Sequence, residues 1–228
     1  MIITGEGMRM RIGILGTGTL AAALGEGWAL AGHELAVAGR TSARAQELAD
    51  RLGPRARAVT PRQAVADRDA VLLAVLLAVS WQGAEDMLRS AGAADGSLAG
   101  TALIDPTNAV EHGVGVLLTG PGEAMAQRIA RLCPGAHVVK AFHMFPSDHW
   151  TRSRASGKPP VTVAMCGDDP RALHVVGELV RDLGAAPAVL GSLDRVRQLE
   201  EVAGFTIGLA FAGTDPNSAI PRLSSAAA

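Results

Sequence analysis

Gly16, Gly18 and Ala21 stand at the spacing G-x-G-x-x-A, directly after the apolar segment 11–15. A turn of that kind can bring backbone N–H groups against a pyrophosphate. Gly16 permits the tight turn, Gly18 lets the backbone approach the anion, and small Ala21 lets the following helix lie close to its strand. Thr17, Thr19 and Leu20 complete the turn and open a helix whose N-terminal N–H groups favour negative charge. A second apolar segment, 34–39, ends in Gly39-Arg40-Thr41-Ser42-Ala43-Arg44. A site for NAD(H) places an Asp or Glu there for the ribose 2′-hydroxyl. This chain has none, and Arg40 and Arg44, with the hydroxyls of Thr41 and Ser42, suit a 2′-phosphate instead. The cofactor expected is therefore NADP(H). Thr41 or Ser42 could equally cap the next helix with both arginines solvated, and capping does not exclude phosphate binding.

Such a crevice needs alternating strands and helices. Apolar segments 11–15, 34–39, 56–59, 70–79, 102–105 and 137–141 read as strands, and 20–31, 43–52, 81–90 and 123–132 as helices, with a helical turn at 61–67. That order implies an α/β fold with a doubly wound parallel sheet, the NAD(P)-binding Rossmann fold. A polar loop, 147–160, follows. A short C-terminal extension adds a strand at 161–165, a helix at 170–183, a short strand at 187–190 and a long helix at 194–211. The chain divides into an N-terminal extension (1–10), one nucleotide-binding domain (11–212) and a loop-like tail (213–228). Residues 203–211 are apolar nearly all round, so that helix must be covered, and a homodimer is expected.

In open parallel sheets ligands bind beyond the carboxyl ends of the strands. That rule gathers residues 16–20, 79–81, 105–108 and 143–146 into one crevice. It adds Val79, Ser80, Trp81 and Asn108 to the expected cofactor contacts. Asp105 reads as a turn cap, not a catalytic base.

Composition narrows the partners. The 228 residues are 48% hydrophobic and 19% charged, with a net charge of −1, no Tyr and 3% aromatic residues. Neither nucleic acid nor an anionic membrane is an expected partner. The longest apolar run, within 70–79, is too short to span a bilayer. Cys133 and Cys166 form no CxxC pair, and with no secretion signal they read as reduced residues of a cytoplasmic protein. His112 and His137 have no second ligand at metal-binding spacing, so no metal is expected.

Four patches together resemble the F420-dependent NADP reductase family. They are the glycine turn with Gly39-Arg40-Thr41-Ser42; Ile104-Asp105-Pro106-Thr107-Asn108; Val138-Val139-Lys140-Ala141-Phe142-His143 with Pro146; and Cys166-Gly167-Asp168-Asp169 followed by Asp182-Leu183-Gly184. The resemblance spans roughly residues 11–212 and implies hydride transfer between NADP(H) and the deazaflavin coenzyme F420. Family members commonly carry Asn at the position of His143, and those reducing the deazaflavin can carry His. Departures are Ser80-Trp81, where the family usually has Pro then Trp, and Phe145, larger than the usual aliphatic residue.

Hydride transfer between nicotinamide and deazaflavin moves no proton to carbon, so the site needs geometry and charge placement more than an acid and a base. His143 is the candidate catalytic residue, as a donor to the deazaflavin pyrimidine; a buttressing role is the alternative. The expected second-substrate pocket joins His143, Phe145 and Pro146 to Arg152, Arg154 and Lys158, whose charges suit a tail of phosphate and glutamates. Two other functions remain open. One is reduction of an imine, enone or dehydroamino acid, with the proton supplied by His143, His149 or Asp148. The other is a non-catalytic NADPH sensor.

Overall fold

The computed structural model describes residues 8–75, 81–111, 113–152 and 160–221. Strand β1 (Arg11–Leu15) leads through the glycine turn into helix α1 (Thr19–Leu30). Strand β2 (Glu34–Ala38) and helix α2 (Ser42–Leu52) follow, then β3 (Ala56–Ala58) and α3 (Pro61–Val65). Helix α3 starts where the sequence dictates. Thr60 Oγ1 accepts the Gln63 N–H and Gln63 Oε1 accepts the Thr60 N–H, with Pro61 fixed in the first turn. Next come β4 (Ala70–Leu73), α4 (Gln82–Ser90), β5 (Ala102–Asp105), α5 (Met125–Leu132) and β6 (His137–Lys140).

The eight strands form one sheet in the order β3-β2-β1-β4-β5-β6, extended by two more strands, β7 (Thr162–Gly167) and β8 (Ala186–Gly191). β3 to β6 run parallel, with Ile14 opposite Val37 on one side and Leu72 on the other. The fold is the expected α/β doubly wound architecture, with one correction. β7 pairs antiparallel to β6, and β8 then runs parallel to β7. Between β6 and β7 the chain makes a short helix, α6 (Ser147–Arg152), within the segment expected to be loop. Among the described residues of this connection α6 is the one helix, and the chain returns in the opposite direction beside β6. Helix α7 (Pro170–Asp182) joins β7 to β8, and α8 (Val196–Phe211) closes the fold.

Strand side chains alternate between two apolar layers. Ile12, Ile14, Leu72 and Ile104 face α1, α6 and α7, and Leu15, Val71, Leu73 and Leu103 face α3, α4 and α5. Met10, in the segment read as an extension, is buried, and its N–H donates to His33 Nδ1 at 3.0 Å. His33 Nε2 meets Asp182 at 2.9 Å, which ties the end of α1 to the end of α7. Strand β4 ends at Leu73, short of the expected 79; residues 76–80 lie outside the described part.

Candidate active site

The order β2-β1-β4 places a switch point between the carboxyl ends of β1 and β4. Gly16 sits there at φ +134°, and a Cβ on it would overlap the Ala74 carbonyl. Its N–H donates to the Ala38 carbonyl at 2.8 Å, stitching the turn to β2. A Cβ on Gly39 would lie 2.7 Å from Thr17 Cγ2, so turn and strand end meet closely. Gly18 differs: a Cβ there would meet nothing, and the space beyond it is open. That is the cradle a pyrophosphate requires. Gly18 caps α1 with no side-chain hydrogen bond, and Thr41 caps α2 with none. Neither Thr41 nor Ser42 supplies the cap that the solvated alternative needed. Both helix N-termini therefore keep N–H groups for an anion.

Thr17, Gly18, Thr19, Ala22, Arg44, Glu47, Leu48 and Arg51 line a groove of about 310 Å³ between these helices. Arg40, Thr41, Ser42 and Arg44 are exposed beside it, and neither arginine makes an ion pair with a described residue. Leu20 is half-buried against the core and does not line this groove. These residues fit NADP(H): an open glycine cradle, two uncapped helix ends, two free guanidiniums and no carboxylate at the end of β2.

The other expected contacts divide. Val79 and Ser80 lie outside the described residues, as do Arg154, Lys158 and His112. Arg152 ends α6. Trp81 precedes α4 and lies against the core, with the Arg128 guanidinium 5.8 Å from its ring centre. Asn108 donates from Nδ2 to the His143 carbonyl at 2.6 Å, which joins the loop after β5 to the loop after β6; its Oδ1 is buried and unpartnered. Asp105 is a turn cap as expected, since Oδ1 accepts the Thr107 N–H at 2.8 Å and its hydroxyl at 2.6 Å.

His143 is buried, and neither ring nitrogen has a partner. Burial, reinforced by the Lys140 charge, pushes its pKa down to about 3, so the ring is neutral near pH 7. Phe142 just before it adopts φ +61°, uncommon for a bulky residue, and its ring is wedged edge-on between Trp28 and Trp150. Phe145 stacks on His149 at 4.8 Å and meets Trp150 edge-on. His149 Nε2 and Trp150 Nε1 are also buried without partners. Pro146 is exposed. Buried polar atoms without partners are costly, and this cluster of them is where a polar ring could be received. The sequence offered His149 as a proton source for the alternative reduction; what it did not give is helix α6, which packs His149 and Trp150 against Phe145.

The larger omission is Lys140. It is fully buried, and its ammonium meets Asp105 Oδ2 at 3.0 Å, Glu200 Oε1 at 3.1 Å and the Thr107 carbonyl. Burial alone would lower the lysine pKa; the two carboxylates outweigh it and hold it above the ordinary value. Glu200, on α8, also accepts the Met125 and Ala126 N–H groups at 2.8 and 3.1 Å, capping α5. One ammonium thus fastens β5, β6, α5 and α8 together behind His143. Among the described residues no group of three His, Cys, Asp or Glu could hold a metal. No helix among them is long and apolar enough to cross a membrane.

The family described as NADP oxidoreductase, coenzyme F420-dependent, matches residues 11–109. That match runs from β1 through β5 and covers less than half of the chain. A curated relative, the metalloreductase STEAP3 of Rattus norvegicus, is 28% identical over 84% of this chain, which spans 36% of that protein's length. Among solved structures, a provisionally assigned F420-dependent NADP reductase from Arthrobacter is 24% identical with a TM-score of 0.76, covering 91% of this chain and 96% of that one. A reductive aminase from Aspergillus terreus, solved with NADPH, is 22% identical with a TM-score of 0.62, covering 90% of this chain and 63% of that one. At those identities the two structures speak for the fold. Family, relative and groove together support NADP(H)-dependent oxidoreduction as the general activity.

Proposed function

We propose that this chain transfers hydride between NADP(H) and the deazaflavin coenzyme F420. When bound, the nicotinamide gives or takes the hydride. The chain's own residues have simpler tasks. The backbone from Gly16 to Thr19 and the N-terminus of α1 hold the pyrophosphate, Arg40 and Arg44 hold the 2′-phosphate, and Asn108 holds the two loops in register. His143 carries the reading. A neutral imidazole shielded from water can donate one hydrogen bond to a carbonyl or ring nitrogen of a flat heterocycle. It is a poor source of a proton at pH 7, because its charged form is disfavoured. Hydride exchange between two heterocycles needs the first property and not the second.

The test is the deazaflavin absorbance band when NADPH meets protein and oxidised coenzyme F420. Bleaching coupled to NADPH loss is expected, and Arg40→Asp should raise KM for NADPH about tenfold, the equivalent of ~1.4 kcal/mol. NADPH binding without bleaching would overturn the deazaflavin assignment. One observation favours a second reading, reduction of an imine, enone or dehydroamino acid: His149 Nε2 is buried and unpartnered beside Phe145, where that reaction needs a donor. Buffer deuterium in the product would identify it. NADPH binding with neither acceptor reduced would leave the sensor reading.

The proposal includes a cytoplasmic homodimer. Cys133 and Cys166 are buried free thiols. The apolar end of α8 is only half covered: Val202, Phe205 and Phe211 are exposed, and the hairpin closed at Val110 and Leu117 adds exposed Val114, Val116 and Leu118. Gly115 of that hairpin touches Gly204 and Gly208 on α8, making one continuous apolar face that a second copy would cover.

A further inference from the structure

We propose that the amino end of the sheet carries a second anion site, formed by Arg55, Arg57 and Arg68 and suited to a polyphosphate group. The three arginines line a cavity of about 330 Å³ with Glu34, Leu35, Pro54 and Ala56. It lies where β2 and β3 begin, at the opposite end of those strands from the glycine turn. It is therefore separate from the dinucleotide crevice.

The charges there are unbalanced. Arg55, Arg57 and Arg68 form no ion pair with a described residue, and Glu34, on the same wall, forms none either. Arg68 is the built element. Asp67 just before it takes φ +53°, and the Arg68 guanidinium turns back so that Nε donates to the Ala64 carbonyl at 3.2 Å and Nη2 to the Gln63 carbonyl at 3.1 Å. Those bonds fix its position and leave Nη1 without an acceptor among the described residues. Its pKa is held below the usual arginine value by burial, then by the charges of Arg57 and Arg11, which Asp67 and Glu34 only partly oppose. Repelling guanidiniums held around one cavity are relieved by a multivalent anion, and planar guanidinium forks match phosphate oxygens. Protection of an edge strand would account for Arg57 on β3. It does not account for Arg68, which lies outside that strand and is fixed on α3.

The experiment uses the full chain saturated with NADP⁺, so that the glycine cradle is filled, and titrates inorganic tripolyphosphate by calorimetry. One saturable site is expected, weakening steeply with added salt. Arg55→Met/Arg57→Met should weaken it by at least tenfold while leaving NADP⁺ affinity unchanged; both positions are exposed, so the variant should fold. Arg40→Ser/Arg44→Ser should leave tripolyphosphate affinity unchanged. A parallel titration with ATP separates two sources: equal affinity assigns the site to phosphate alone, and tighter ATP binding assigns it to a nucleotide's phosphate tail. No binding to the NADP⁺-saturated chain, or unaltered affinity in Arg55→Met/Arg57→Met, would overturn the site.

Discussion

Replacing Lys140 by Met should remove a large part of this protein's stability. The ammonium is completely buried and has three acceptors: Asp105, Glu200 and the Thr107 carbonyl. Two carboxylates against one ammonium leave an excess of one negative charge, which the N-terminus of α5, worth roughly half a positive charge, partly offsets through Glu200. Met fills a similar volume, so little of the effect is a cavity. What remains is two buried carboxylates facing each other. Each keeps only its N–H or hydroxyl donors: the Thr107 N–H and hydroxyl for Asp105, the Met125 and Ala126 N–H groups for Glu200. Removing one partner of a buried ion pair costs about 3–5 kcal/mol, and a domain holds only about 5–15 kcal/mol in all. Glu200→Gln should cost less, about 1–3 kcal/mol, because an amide leaves Lys140 paired with Asp105 but presents an N–H donor where a carboxylate oxygen accepted. In Lys140→Met/Glu200→Gln the two losses should fall well short of adding, since the second change removes the charge that the first stranded. Urea unfolding followed by far-UV circular dichroism measures all three, and constant m-values would keep the comparison valid. A loss below about 1 kcal/mol for Lys140→Met, or strict additivity in the double variant, would refute the ammonium as the fastening of these four elements.

Other consequences are briefer. Gly16→Ala combines a strained φ with overlap on the Ala74 carbonyl and should cost about 3 kcal/mol or more; a thermal midpoint equal to that of the parent chain would contradict the turn geometry. His143 rejects a proton that the unfolded chain accepts. Between pH 6.5 and about 3 stability should therefore fall as pH falls, with His143 supplying about 1.4 kcal/mol per pH unit of that slope. Urea midpoints of His143→Asn over the same range should show a shallower slope, and an equal one would mean that the ring is not buried neutral. Phe205→Asp should halve the mass seen by light scattering while leaving NADPH binding intact. An unchanged mass would move the interface off α8.

The patches quoted from the sequence turn out to be mostly fastenings, and that explains what could and could not be read. The glycine turn was legible because its spacing encodes backbone geometry: one glycine is forced by φ and by Ala74, and the other opens onto free space. Strand positions were legible from apolar runs. The reversal of β7 was not, because a strand's direction depends on the connection before it, and α6 with its loop carries no strong periodicity. Asp168 and Asp169 read as a distinctive motif, yet Asp169 caps α7 by accepting the Ala172 N–H and Asp168 accepts the Leu193 N–H. Asp182 holds His33. Lys140 sat inside another quoted patch without attracting a role, because a lone lysine in a strand gives no sign of its carboxylates, which stand 35 and 60 positions away. His143 is the exception. Lys140 in the same motif has three acceptors and Phe142 packs between two tryptophans, whereas the ring nitrogens of His143 have no partner. Fold stability alone gives no reason to bury an imidazole unpaired against the charge of Lys140, a cost that a bound heterocycle's acceptor would offset. The contrast between a fully satisfied lysine and an unsatisfied histidine three residues later is what singles out His143 for substitution.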